Sequence, residues 1–271
     1  MASQPHATVE AALNYIAPMD QRPRYYANDH SRDILSLDSR VVPITDGRES
    51  LPSLDVEGFQ LVPHHSGVAD FRDAAASAAL YPREIEALLG ELTGADQVIV
   101  TSPGILRFAE KSSECGEYDN SHPARFIHVD IDDDTAAAFA TRSAPAGKTI
   151  ARYAHYNIWR VISPPPQDVP LGLCDARSIR PEDMVQAEAV FDAPGKPEWS
   201  FISFVMKPAA HHRWHWFRDM TPDEAIVFKT NDSDPAAPHC VPHSAFDSPD
   251  CPADAVPRAS VEIRAIAYWF E

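Results

Sequence analysis

Apolar positions along this chain fall in short runs rather than long stripes. Val41–Ile44 and Gly58–Val62 read as brief strands, each bounded by turn residues. Helical spacing is clearest in Pro82–Thr93 (PREIEALLGELT), where Ile85, Leu88, Leu89 and Leu92 recur three and four apart and Gly94 is placed to end the helix. Phe71–Ala79 reads as a separate helix leading into it. A buried strand, Gln97–Thr101 (QVIVT), follows, and from there the pattern is mostly β. Its candidate strands are Arg125–Val129, Tyr153–Val161, Trp199–Val205, Arg213–Arg218, Ala225–Lys229 and Val261–Phe270, with one further helix beginning near Pro181. The 25 prolines and 10 glycines are scattered, which favours strands and loops. Together these predict a sandwich or jelly-roll barrel, mainly β with flanking helices (α+β). The expected organisation is one domain spanning 1–271, with residues 1–75 as an N-terminal arm packed on the core.

Composition adds exclusions more than identity. At 271 residues, 44% hydrophobic and 23% charged, the chain is long enough to bury a sizeable core. No apolar run reaches the ~18 residues of a membrane span, and the first residues lack the pattern of a secretory leader. A cytoplasmic location and no membrane partner are therefore expected. Cys115, Cys174, Cys240 and Cys251 lack C-x-x-C spacing and read as free thiols. A formal net charge of −17 repels a phosphate backbone, so no nucleic-acid partner is expected. That charge does not restrict a small molecule, because a pocket can locally oppose the global sign. Oligomeric state has no signal in the sequence.

The chemistry gathers in three places. His128-Val129-Asp130 ends an apolar strand, and strand alternation puts His128 and Asp130 on one face. His243, in PHSAF, lies 113 residues beyond Asp130. Two histidines and one carboxylate make the facial triad that holds non-haem iron(II), with positions left for a cosubstrate and O2. Arg258-Ala259-Ser260 then opens the last strand, with Arg258 and Ser260 on one face. A guanidinium fork beside a hydroxyl suits the distal carboxylate of 2-oxoglutarate. H-x-D alone is a weak signal in a chain with 12 histidines and 40 acidic residues. Its structural alternative is a strand-end histidine followed by a solvated acidic turn of Asp130, Asp132, Asp133 and Asp134.

The segments GFQLVPHHSGVADF (58–71), ELTGADQVIV (91–100), HVD (128–130), NIWR (157–160), PLGLCDARS (170–178), HRWHWFRDMTPDEAIVFK (212–229), PHSAFDSP (242–249) and PRASVEIRA (257–265) carry a resemblance over nearly the whole chain. They resemble the family typified by the cephamycin biosynthetic hydroxylase CmcJ and by fungal gibberellin-desaturase-like proteins. That resemblance implies a double-stranded β-helix, cupin-like core and an iron(II)/2-oxoglutarate oxygenase that hydroxylates or desaturates a small, specialised-metabolite substrate. It places iron on His128, Asp130 and His243, and 2-oxoglutarate on Arg258 and Ser260. Two departures stand out: Thr101-Ser102-Pro103-Gly104-Ile105-Leu106-Arg107 where relatives often carry an Asp-His-Thr-like turn, and Trp214-His215-Trp216 in the H-R-W segment. Both bear on pocket shape, so substrate identity does not transfer.

Other residues keep two readings each. Asn157 is a donor to 2-oxoglutarate or a buried amide satisfying backbone groups. Arg264 shares a face with Arg258, Ser260 and Glu262, as a second cosubstrate contact or as the partner of Glu262 or Asp175. Arg107 faces the pocket or the surface. Trp159, Trp214, Trp216 and Phe246 are candidate apolar lining or core. His211, His212 and His215 read as packing and surface groups rather than zinc ligands. Two other classes stay open: a non-redox cyclase or isomerase on this scaffold, and a zinc- or ligand-binding β-barrel without catalysis.

Overall fold

The computed structural model describes residues 8–271. Fifteen strands run in chain order: β1 (Thr8–Ile16), β2 (Arg24–Tyr26), β3 (Leu37–Asp46), β4 (Phe59–Pro63), β5 (Gln97–Val100), β6 (Ile105–Phe108), β7 (His128–Val129), β8 (Ile150–Val161), β9 (Leu171–Cys174), β10 (Met184–Phe191), β11 (Trp199–Met206), β12 (Trp214–Trp216), β13 (Glu224–Asp232), β14 (His243–Ala245) and β15 (Ala259–Phe270). They form two sheets. The first has order β1-β3-β12-β9-β14-β7-β11-β10-β2, and the second has order β4-β13-β8-β15-β5, with β6 also pairing with β15. The architecture is mainly β with few helices, the jelly-roll type expected.

Period-two alternation in the second sheet determines what faces what. On β8, Tyr156 and Ile158 point outward, while Asn157, Trp159 and Val161 point between the sheets. On β15, Val261, Ile263 and Ala265 join the outward set. The intervening Ser260, Glu262 and Arg264 therefore face inward. The outward apolar face is covered by helix α1 (Ala74–Thr93), which lays Tyr81, Ile85 and Leu89 on it. Between the sheets, Phe59, Trp159, Leu173, Ile226 and Phe228 form a second core.

Several local expectations change. The two predicted front helices are one, since Pro82 sits inside α1 without ending it; Asp73 caps its start and Gly94, at φ 62°, its end. The N-terminal arm is woven into both sheets, with β1 and β3 at the edge of the first and β4 at the edge of the second. The acidic run after Asp130 opens a helix, α2 (Asp133–Ser143): Asp132 accepts the Thr135 N–H at 2.9 Å, and Asp133 and Asp134 occupy the favourable first turn. The helix expected near Pro181 is a single 3-10 turn, Pro181–Asp183. The expected strand Arg125–Val129 shrinks to His128–Val129, because the Arg125 carbonyl and the Ile127 N–H are taken by Asn14. No helix among the described residues is long and apolar enough to cross a membrane.

Candidate metal centre

Pairing of β7 with β14 sets His128 directly opposite His243, 115 positions apart in sequence. Their ring centroids are 4.3 Å apart. Each ring is tied in the same way: His128 Nδ1–H donates to the Phe126 carbonyl and His243 Nδ1–H to the Val241 carbonyl, both at 3.1 Å. In this tautomer Nε2 keeps its lone pair, the arrangement expected of metal-binding imidazoles. The Nε2 atoms lie 3.6 and 3.9 Å from Asp130 Oδ1. One donor atom from each of the three residues fits within 4.8 Å of the others. Burial, reinforced by His243, pushes His128 down to about 3, so its ring is neutral. Burial by itself raises Asp130, but the Arg264 guanidinium holds its carboxyl below the usual range.

Asp130 is oriented from the second sheet. Asn157 Nδ2 donates to its Oδ2 at 2.6 Å, and Arg264 Nη2 stands 3.6 Å from its Oδ1. Each kept two readings in the sequence, a cosubstrate contact being one; the structure places both beside the Asp130 carboxylate, and Arg264 also makes the Glu262 pair that was its other reading. Glu262 ties the group together, paired to Arg264 at 3.1 Å and gripped through both oxygens by Arg107 at 3.0 and 3.1 Å.

Two cavities meet here. The inner one is narrow, about 30 Å3, and is lined by Trp159, Leu171, Phe228 and Arg258 as well as the triad. The outer one is about 560 Å3 and is reached past His128, Asp130, Arg107 and Arg264. Arg258 and Arg264 share a strand face, but six extended residues span ~20 Å. They consequently serve different cavities. Arg258 is 2% exposed; its Nη1 donates to Ser260 Oγ at 2.6 Å, while Nε and Nη2 have no partner among the described residues.

Not every candidate gathers at this point. Arg107 does, facing both cavities. Trp159 lines the inner pocket, whereas Trp214, Trp216 and Phe246 pack in a core of the first sheet with Tyr15 and Ile44. His211 and His212 both direct Nε2 onto one Asp183 oxygen, at 2.8 and 3.2 Å, and His215 contacts Ser50 instead. Sequence reasoning missed three aromatic neighbours. Phe228 packs on His243 at 4.7 Å, and Tyr25 and Phe126 on His128 at 6.3 and 5.3 Å. Phe228 was recoverable from the alternation of β13; Tyr25, on a three-residue strand, had no such signal.

Two imidazoles that present Nε2 and one carboxylate, set on a curled double sheet of jelly-roll type, form a donor set able to take a metal ion. The fold matches a solved structure titled an iron and alpha-ketoglutarate-dependent endoperoxidase, NvfI, with a TM-score of 0.83 at 22% identity, over 99% of this chain and 100% of that one. The chain belongs to the oxidoreductase/YMDC permease-like domain family, whose family model matches residues 13–268. Among its relatives, the hydroxylase/desaturase CTB9 of Cercospora beticola is 29% identical across 86% of this chain and 77% of that protein. The alpha-ketoglutarate-dependent dioxygenase phiK, from a fungal species, is 28% identical across 96% of each chain.

Proposed function

We propose that His128, Asp130 and His243 hold iron(II), that Arg258 and Ser260 receive the distal carboxylate of 2-oxoglutarate, and that the protein uses O2 to hydroxylate or desaturate a small specialised metabolite. The protein is an iron(II)- and 2-oxoglutarate-dependent oxygenase, in keeping with the relatives' names. The observation that carries the residue assignment is the convergence of two free Nε2 lone pairs and one carboxylate oxygen. The second support is Arg258, a buried guanidinium with two unpartnered nitrogens in the pocket beside them. Such nitrogens are costly unless an anion completes them. The arm and the jelly roll act as one catalytic domain, since β1, β3 and β4 complete both sheets. Four free cysteines suit the reducing cytoplasm.

Bound iron(II) with 2-oxoglutarate supplies an oxidant able to take a hydrogen atom from an unactivated C–H bond. The chain's own residues do the rest. Asn157 and Arg264 hold the Asp130 carboxylate ionised and turned to the histidines. The Phe126 and Val241 carbonyls fix both imidazole tautomers. Trp159, Leu171 and Phe228 keep water from the inner pocket. The inner pocket is about 30 Å3, and the Nε and Nη2 of Arg258 are left without partners among the described residues while Nη1 holds Ser260 Oγ.

The test needs no substrate. Iron(II) and then 2-oxoglutarate are added to the protein without oxygen, and the weak visible charge-transfer band of the chelate is recorded. The expected result is a band in the wild type and none in His128→Ala or His243→Ala. A wild type that binds no iron and shows no band overturns the assignment, and the non-redox and zinc readings then lead.

A further inference from the structure

Arg264 differs from the other two arginines of the site. Arg107 has a partner on every nitrogen: Nε and Nη2 hold Glu262, and Nη1 donates to the Asn120 and His122 carbonyls. Arg258 belongs to the inner pocket. Arg264 lines the outer cavity with its side chain 24% exposed. Its Nη2 is shared between Glu262 and Asp130, and its Nε is buried with no partner among the described residues.

Charge counting shows why this matters. Glu262 is one carboxylate serving two guanidinium groups, so it neutralises one of them. The remaining partner of Arg264 is Asp130, and a metal on Asp130 takes that charge. With iron(II) and 2-oxoglutarate bound, the two positive charges of the metal are matched by Asp130 and the near carboxylate, and Arg258 by the distal one. Glu262 is then the one carboxylate between Arg107 and Arg264, and one positive charge is left on that pair at the wall of the substrate cavity, with Arg264 the member whose Nε has no partner among the described residues. The other carboxylates of that wall have partners of their own, although Arg125 is divided between Glu110 and the exposed Asp247 at 3.0 Å. Asp33 accepts the Tyr26 N–H and lies 3.3 Å from His30 Nδ1, and Glu110 is held through both oxygens by Arg125. A partly desolvated guanidinium that shares its one remaining carboxylate gains from a bound anion. The rest of the wall includes Leu35, Val190, Phe191 and Phe201, and about 560 Å3 is the size of pocket that takes a drug-sized molecule.

We propose that the substrate carries a carboxylate that pairs with Arg264, its apolar body lying against Leu35, Val190, Phe191 and Phe201. This rests on the iron and 2-oxoglutarate reading of the site and narrows the substrate class within it. Because the whole chain carries a net charge of −17, its long-range field repels such an acid. Selection for an anion must then come from the local guanidinium.

The experiment uses the protein loaded with iron(II) and excess 2-oxoglutarate without oxygen, the visible band reporting that both are in place. Two probes of nearly equal shape, 1-adamantanecarboxylate and 1-adamantanecarboxamide, are titrated by calorimetry. The expected result is at least tenfold tighter binding of the carboxylate by the wild type. That preference is lost in Arg264→Gln and largely kept in Arg264→Lys, which retains the charge if the Gln variant folds poorly. The band must persist throughout, which shows that the probe has not displaced 2-oxoglutarate from Arg258. A carboxylate that fails to bind, binds no better than the amide, or keeps its preference in Arg264→Gln overturns the proposal. Absence of the band in the wild type overturns instead the metal reading beneath it.

Discussion

Replacing Arg258 with methionine separates the stability of this protein from its function. The side chain is 2% exposed, and burial, followed by repulsion from Arg107 and Arg125, pushes its pKa down from 12.5 to about 10. A difference of that size corresponds to about 3 kcal/mol against the charged form in the folded protein. Its one side-chain hydrogen bond, to Ser260 Oγ, returns about 1.5–3 kcal/mol as a bond to a charged group. Methionine has similar length and no charge, so Arg258→Met leaves the cosubstrate-free protein between unchanged and about 2 kcal/mol more stable. Affinity for 2-oxoglutarate moves the other way. Truncating one partner of a buried charge pair costs about 2–5 kcal/mol, roughly 30-fold to several thousandfold in Kd. Urea denaturation without ligand reads the first quantity, and anaerobic titration of the visible band reads the second. A variant destabilised by several kcal/mol that binds 2-oxoglutarate normally refutes the reasoning, because Arg258 would then be a structural cation whose unpartnered N–H donors cost nothing.

Three further outcomes follow from the geometry. Asn157→Leu removes the 2.6 Å bond to Asp130 Oδ2 and should weaken iron about 10- to 100-fold, read by chelator competition; unchanged affinity means Asn157 does not orient the ligand. His155 is buried with Nε2–H donating to the Ala136 carbonyl, and burial pushes its pKa down to about 4. Below pH 6.5 the unfolded chain therefore binds a proton that the folded one refuses, and stability drops by about 3 kcal/mol by pH 4. His155→Gln should flatten the stability curve between pH 6.5 and 4 in denaturant titrations, and parallel curves for the two proteins would exclude that origin. Ile85→Ala empties a fully buried position between α1 and the outer face of the second sheet and should cost about 2–5 kcal/mol. Iron binding should be unaffected, since that face lies away from the triad; a coupled loss of iron argues that the helix braces the site.

What the sequence determined is the local order. Alternation in NIWR and ASVEIRA decides which residues of β8 and β15 face the helix and which face the other sheet, because a strand has no freedom in its period of two. It likewise puts His128 and Asp130 on one side, and Ile85 and Leu89 on one stripe of α1. Even so, the local signal misled where a neighbour intervened. Pro82 is carried through α1, whose apolar stripe packs on the sheet, and the Asp132–Asp134 run opens a helix rather than a turn, with Asp132 buried at its cap and Asp133 and Asp134 exposed in its first turn. Only the tertiary structure decided the rest. His243 meets His128 because β14 pairs with β7 in one register among many, a long-range choice that no local period encodes. Arg258 and Arg264 look equivalent along the strand, yet each reaches its own cavity, one ending with two unpartnered nitrogens and the other shared between Asp130 and Glu262. Which charge is matched depends on distances across the two sheets, and those exist only once the chain has folded.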